Sequence, residues 1–253
     1  MTRRRFIADT WTPTTATLTG DQAAHLTRVL RATPGQTYDI VANGFLHRAE
    51  IIDVSEARVQ FTLHEELQSD AALPLHLLLA VFKFDHMEWA IEKSTELGIA
   101  KITPILARRT EKHLAHAALK RAERWRRIAL EASKQSRRTA IPEIADPIAL
   151  KAAIEQENSP TRILLSETEQ TSPLTSALEA SIAESATNHP ITHAIAIGPE
   201  GGWTPEEISL FTQHRWQPVT LGPRILRAET AAIAAIAIAG AHLTLKSKAA
   251  GRV

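Results

Sequence analysis

Residues 193–207 read His193-Ala194-Ile195-Ala196-Ile197-Gly198-Pro199-Glu200-Gly201-Gly202-Trp203-Thr204-Pro205-Glu206-Glu207. His193 to Ile197 has the length and apolar content of a buried strand. Three glycines and a proline follow within five residues, more than a turn requires. A helix then starts with full punctuation: Thr204 as N-cap, Pro205 at the first helical position, and Glu207 at the third to complete a capping box. Strand, glycine loop and capped helix, ending near His214, make one βα unit.

Working outward, strands and helices alternate. Leu75 to Phe82 is a nearly unbroken apolar run, as expected of a strand buried on both faces. A helix follows from Asp85, read as its N-cap, to Leu97, and Gly98 stands where a left-handed terminal residue belongs. Lys101 to Leu106 is the next strand and Ala117 to Ser136 a long helix. Arg162 to Ser166 is a strand, Ser172 to Ala186 a helix, Gln217 to Leu221 the last strand, and Ala228 to Leu243 the last helix. This order predicts an α/β fold with a parallel sheet covered on both faces.

The first 68 residues differ. Thr37 to Ala42 and Leu46 to Val54 flank Asn43-Gly44, a strong hairpin signal because both residues tolerate positive φ. Ala57 to Leu63 is a third strand. Asp21 caps one helix carrying Ala24, Leu26, Val29 and Leu30, and Pro34-Gly35 ends it. A small β-barrel with one helix fits. The polar, proline-ended stretch Gln68 to Pro74 separates a barrel domain, 1–70, from an α/β domain, 74–250.

The chain has 253 residues, 44% hydrophobic and 23% charged, and no cysteine. Disulfides, thiolate metal sites and cysteine nucleophiles are therefore excluded. His113 and His116 lie three apart with no further ligand nearby, so no metal is expected. The basic N-terminus, Arg3-Arg4-Arg5, leads into no long apolar run, which points to a cytoplasmic protein. The most apolar stretch, Ala231 to Ala241, is too short to span a membrane and reads as a core helix.

The net charge of +1 hides an asymmetry of +5 over residues 1–138 and −4 over residues 139–253. Residues 117–138, read as one helix, carry Lys120, Arg121, Arg124, Arg126, Arg127, Lys134, Arg137 and Arg138 against Glu123 and Glu131 alone. Arg3, Arg4, Arg5, Arg28 and Arg31 form a second basic group. Two such groups on two domains suggest a bipartite grip on a polyanion such as RNA, a solvated helix face being the plainer reading.

Ligands of open α/β sheets lie beyond the carboxyl ends of the strands. Three ends here are decorated: Ser166-Glu167-Thr168, just after Leu165, Gly198-Pro199-Glu200-Gly201-Gly202, and Leu221-Gly222-Pro223-Arg224-Ile225-Leu226-Arg227, which runs into Ala228-Glu229-Thr230. The glycine loop has neither dinucleotide nor phosphate-loop spacing. On loop chemistry alone, a nucleotide and S-adenosylmethionine suit it equally. Arg224 and Arg227 are set among apolar residues, near the core margin, where each needs a partner: Glu229, or an anionic group of a ligand.

Taken together, Arg4-Arg5-Phe6, His25-Leu26-Thr27-Arg28-Val29-Leu30-Arg31, Glu92-Lys93-Ser94-Thr95-Glu96-Leu97-Gly98, Gln135-Ser136-Arg137-Arg138, Ile197 to Gly202 and Leu221 to Ala231 resemble the bacterial 16S ribosomal RNA (uracil-N3)-methyltransferases, ribosomal RNA small subunit methyltransferase E, of the SPOUT superfamily. Lys134 stands where glutamate is expected and Ala228 where threonine is usual. The resemblance implies a PUA-like barrel followed by a SPOUT domain with a deep trefoil knot, binding S-adenosylmethionine as a homodimer. It implies a uridine in the decoding region of 16S rRNA, in the small ribosomal subunit, as substrate. The three decorated loops would hold the donor. Arg4, Arg5, Arg28, Arg31, Arg124, Arg127, Lys134 and Arg138 would contact RNA. N3 methylation requires loss of a proton and stabilisation of the anion left behind. Arg227 or Arg137 suits the second task and Glu229 the first, unless Glu229 pairs with a neighbouring arginine. A tRNA methyltransferase and a non-catalytic RNA-binding protein are the alternatives.

Overall fold

The computed structural model describes residues 5–67, 72–181 and 193–250, with side chains as far as residue 244. The chain divides into two compact units, Met1–Ala71 with Ser133–Ile141, and Ala72–Ala132 with Pro142–Val253. The expected division near residue 70 leaves Ser133–Ile141 with the α/β part; that segment groups with the first unit instead. Arg137 has a left-handed φ of 59°, which turns the chain out of the helix ending at Gln135. Arg137 and Arg138 therefore lie beyond the helix on which the sequence reading placed them, and the Arg5 guanidinium donates to the Arg137 carbonyl.

The first unit holds six strands: β1 (Arg5–Ile7), β2 (Thr10–Trp11), β3 (Thr15–Thr19), β4 (Thr37–Ala42), β5 (Phe45–Val54) and β6 (Arg58–Leu67). Their order in the sheet is β1-β4-β5-β6-β3-β2. β1 and β2 are consecutive in the chain yet stand at opposite ends of that order. Between them, the Ala8 N–H donates to the Val41 carbonyl (2.8 Å) and the Asp9 N–H to the Thr17 carbonyl (3.0 Å). One segment thus bonds to both flanks of the strand order and closes the sheet. Asn43 and Gly44 turn the β4–β5 hairpin at φ 51° and 81°, as their sequence predicts. Leu18, Leu26, Ile40, Ile51 and Phe61 fill the interior.

The helix of this unit, α1 (Gly20–Ala24), widens into a looser turn in which the Leu30 N–H reaches the His25 carbonyl five residues back (3.1 Å). Asp21 does not cap it. The N-cap is Thr19, whose backbone N–H and hydroxyl are both held by Asp9 Oδ2, at 2.7 and 3.1 Å.

The second unit alternates as expected: β7 (Leu73–Ala80), α2 (Phe84–Glu96), β8 (Ile99–Leu106), α3 (Lys112–Gln135), β9 (Glu143–Ile144), β10 (Ile148–Ala149), α4 (Leu150–Gln156), β11 (Thr161–Leu165), α5 (Leu174–Ser181), β12 (His193–Ile197), α6 (Pro205–Gln213), β13 (Gln217–Val219) and α7 (Ala228–Ala250). The expected continuation of α5 to Ala186 lies outside the described residues. All pairings are parallel, in the order β10-β8-β7-β12-β11-β13, with β9 also on β8. Successive β7 residues serve opposite faces. Leu75, Leu77 and Leu79 pack with Met87, Trp125 and Ile236, from α2, α3 and α7, while Leu78 and Ala80 pack with Trp203, Phe211 and Trp216. Asp85 lies inside the first turn of α2, where its charge suits the helix dipole; Lys83 occupies the N-cap and makes no side-chain cap bond. Among the described residues, no helix is long and apolar enough to cross a membrane.

Candidate active site

The carboxyl ends of β11, β12 and β13 open onto one cleft of about 1130 Å³. Leu165, Ser166 and Glu167 line it from the first loop, Gly198, Pro199, Glu200, Gly201 and Gly202 from the second, and Leu221, Gly222, Arg224, Ile225, Leu226 and Arg227 from the third. The structure brings together all three decorated loops. Lys83 and His86 enter from the start of α2 and Arg109 from the end of β8, positions that loop chemistry does not single out. His86 is the third residue of α2, and its place shortly after the strand is the one sequence signal that marks it.

Each loop is braced. Thr204 and Glu207 form the expected capping box, with the Glu207 N–H 3.3 Å from Thr204 Oγ1 and the Thr204 N–H 2.9 Å from Glu207 Oε2. The other Glu207 oxygen accepts from the Arg108 N–H at 2.7 Å, so one buried carboxylate ties the loop after β8 to the start of α6. Arg109 Nη1 donates to the Gly201 carbonyl (2.5 Å). Gly198 follows the end of β12: a Cβ there would stand 3.1 Å from the Trp203 ring, so this glycine makes room for an indole. Gly202 has φ 70° and donates its N–H to the Pro199 carbonyl (2.8 Å), so the loop turns where only glycine turns cheaply. The Glu169 carboxylate accepts from the Thr171 hydroxyl and from the Thr171 and Ser172 N–H groups, which hold it at a pKa of about 2.

Arg224 and Arg227 do not sit at the core margin. Both are exposed on the cleft rim, and the intervening Ile225 is 83% exposed, because the segment leaves the sheet before α7 begins. Neither pairs with Glu229. That carboxylate is 2% exposed in the first turn of α7, behind the cleft wall, and His86 Nδ1 approaches its Oε1 at 3.4 Å. Neither His86 Nδ1 nor Glu229 Oε2 has a hydrogen-bond partner among the described residues. Arg137 belongs to the first unit.

The basic residues divide in the same unexpected way. Arg124 forks onto Glu88 at 2.6 and 2.7 Å, and Arg121 lies over the Phe84 ring, 4.9 Å from its centroid. Arg126 reaches Asp146 at 2.6 Å. Counting opposing charges along α3 alone therefore overstates its free charge, because α2 and the segment after β9 supply acidic partners. Arg127 is exposed and makes no ion pair among the described residues. In the first unit Arg28 meets Glu56 at 3.8 Å with both side chains largely in solvent, and Arg31 is exposed with φ 51°. Burial lowers the Arg138 guanidinium to about 10. Lys134 lies with Arg138 in this unit, and Arg4 lies outside the described residues.

An RNA methyltransferase domain family matches residues 69–240. The chain is 38% identical over 225 residues to ribosomal RNA small subunit methyltransferase E of Synechocystis sp., covering 88% of this chain and 72% of that one. It is 31% identical over 230 residues to the protein of the same name in Bacillus subtilis, covering 88% of each. The crystal structure of ribosomal RNA small subunit methyltransferase E from Neisseria gonorrhoeae, bound to S-adenosyl methionine, superposes with a TM-score of 0.75 at 29% identity, covering 96% of this chain and 98% of that one. The match spans both units, the cleft and the basic segments alike. The chain belongs to the ribosomal RNA small subunit methyltransferase E family of RNA methyltransferases.

Proposed function

We propose that the protein methylates small-subunit ribosomal RNA with S-adenosylmethionine as donor, and that its target atom is N3 of a uridine in the decoding region of 16S rRNA. The observation that carries the reading is the convergence of three strand-end loops on one cleft in a chain of this family. The cleft's chemistry suits the donor. Leu165, Ile197, Leu221 and Leu226 offer apolar surface beside the backbone of Gly198–Gly202, as a purine requires. Arg224 and Arg227 suit a carboxylate, and the acidic Glu167 and Glu200 suit cationic groups. When bound, the donor supplies an electrophilic methyl group.

The chain's own residues orient and stabilise. Hydrogen bonds within and between the loops hold the cleft in shape. Arg227 on the rim presents a planar guanidinium fork to the anion that forms over O2, N3 and O4. Arg5, Arg28, Arg31, Lys134, Arg137 and Arg138 of the first unit, with Arg127 of the second, hold the RNA backbone. In this reading the closed first-unit sheet is a PUA-like RNA-binding barrel. The second unit is a SPOUT domain with a trefoil knot, a reading favoured by the position of β12 between β7 and β11, both laid down earlier in the chain. Exposed Ile225 on the rim favours a homodimer that covers it. The enzyme works in the cytoplasm, on the small subunit itself.

Incubating the protein with isolated small ribosomal subunits and labelled donor, then mapping modified nucleosides by mass, tests the proposal. It expects one labelled 3-methyluridine in the decoding region of 16S rRNA. Label confined to tRNA, or no label, refutes it.

A further inference from the structure

Resting on that reading, we infer that His86 is the proton acceptor for the uracil N3–H and that Glu229 is its positioning residue. The geometry is that of a base backed by a buried carboxylate. His86 lines the cleft with its side chain 30% exposed, while Glu229 does not line the cleft and is 3% exposed behind it. Nδ1 faces Glu229 Oε1 at 3.4 Å, and Nε2 lies 3.9 Å from the exposed Asp85 Oδ2, so we assign Nε2, the nitrogen turned from Glu229, as the proton acceptor. Glu229 therefore does not meet the substrate itself, as a carboxylate base must, and acts one residue removed.

The chemistry of the other lining residues leaves the task to this one. Lys83, Arg109, Arg224 and Arg227 are cationic side chains of high pKa, unsuited to accept a proton. Glu167, Glu169 and Glu200 are carboxylates, whose conjugate acids are far stronger than a uracil N3–H. Histidine is the one side-chain type that changes charge between about pH 5 and 8. The charged groups near His86 come from three places in the fold. Glu229 on α7 stands at 3.4 Å, Glu200 after β12 at 3.9 Å, and Asp85 beside it at 3.9 Å; Lys83, also at the start of α2, is paired with Glu200 at 3.9 Å. The buried Glu229 carboxylate, with its Oε1 toward the ring, gains a counter-charge when an imidazolium forms.

The step balances. The N3–H proton moves to His86 Nε2, and the N3 electron pair forms the bond to the transferred methyl carbon. The carbon–sulfur bond breaks with its electron pair left on sulfur, which turns a sulfonium into a neutral thioether. One positive charge disappears at sulfur and one appears on the imidazole beside Glu229.

The test compares wild type with His86→Gln and Glu229→Gln on small subunits, with binding of S-adenosylhomocysteine by calorimetry as a readout independent of turnover. His86→Gln is expected to lower kcat about 100-fold or more, as loss of a general base does, while leaving the calorimetric Kd within about threefold. The acid limb of the wild-type kcat/KM profile should vanish, and added imidazole should restore part of the rate. Glu229→Gln should keep that limb but move it, and NMR titration of the His86 ring in donor-free protein should show the same displacement to lower pH, because a carboxylate favours the charged ring. An undiminished kcat in His86→Gln, or an unmoved His86 titration in Glu229→Gln, overturns the inference. Wild-type protein that labels no subunit RNA overturns the proposed function instead, and the NMR arm still reports on the pair.

Discussion

Trp203 donates its indole N–H to the carbonyl of Leu165, 3.0 Å away, and so binds the loop after β12 to the end of β11. The two residues are 38 positions apart, yet this one bond fixes the distance between two walls of the cleft. The ring is held from behind by Phe211, edge to face at 4.8 Å between centroids, and from beneath by Gly198. The glycine loop is therefore shaped largely by its own tryptophan, and its three glycines serve different ends.

Trp203→Phe keeps most of the apolar contact and removes the donor. The Leu165 carbonyl is then left without its side-chain partner, at a cost of about 1–3 kcal/mol in unfolding free energy. Urea unfolding should show that loss, and calorimetry should show weaker binding of S-adenosylhomocysteine. Unchanged stability and unchanged Kd would mean the bond positions nothing.

Some of this was legible locally and some was not. Asn43-Gly44 and the Thr204–Glu207 box specify their conformations within four residues, so reading them needs no fold. His86 and Glu229 lie on helices far apart in sequence, and only the packing of α2 beside α7 joins them. The same holds for Arg124 and Glu88, whose pairing removes a cation that sequence counting leaves free. β9 and β10 have two residues each, too few to show any periodicity, so the stretch from Thr139 to Pro160 carries no readable pattern. Arg137 turns the chain at positive φ although arginine has no preference for it, and the helix end there could not be read from residue type.

A buried histidine sets one pH dependence. His193 is 2% exposed and accepts or donates one bond to Ser181 at 2.9 Å. Burial, helped by the charge of His242, lowers its pKa from 6.5 to about 4. Between those values the unfolded chain binds more protons than the folded one, so stability falls as pH drops from about 6.5 to 4 and levels off below. Urea midpoints measured across that range should show a slope in wild type that His193→Gln reduces. Equal slopes in both proteins would refute the assignment.

Salt dependence separates the arginines of α3. Arg127 has no acidic partner among the described residues, whereas Arg124 is forked onto Glu88. Arg127→Ala should reduce the slope of log Kd against log salt for small-subunit RNA by about one, the signature of one lost phosphate contact. Arg124→Ala should leave that slope unchanged while altering the packing of α2 against α3. The opposite ranking in filter binding would place the phosphate contact on Arg124 and require its bond to Glu88 to open on RNA.

Arg227 offers the sharpest test of how the rim works. Its carbonyl accepts the Ala231 N–H at 2.8 Å, so its backbone launches α7, while its side chain stays in solvent. Substitution should therefore spare the fold. An arginine that neutralises charge forming on uracil acts only in the transition state, so Arg227→Ala should lower kcat about 100-fold with little change in KM for subunits. Arg227→Lys keeps the charge but loses the planar fork, and should recover only part of the rate. An arginine that instead grips the donor carboxylate gives another pattern: weaker binding of S-adenosylhomocysteine, and a rate restored by saturating donor. Intact turnover in Arg227→Ala would exclude both roles and return the anion-stabilising task to Arg137.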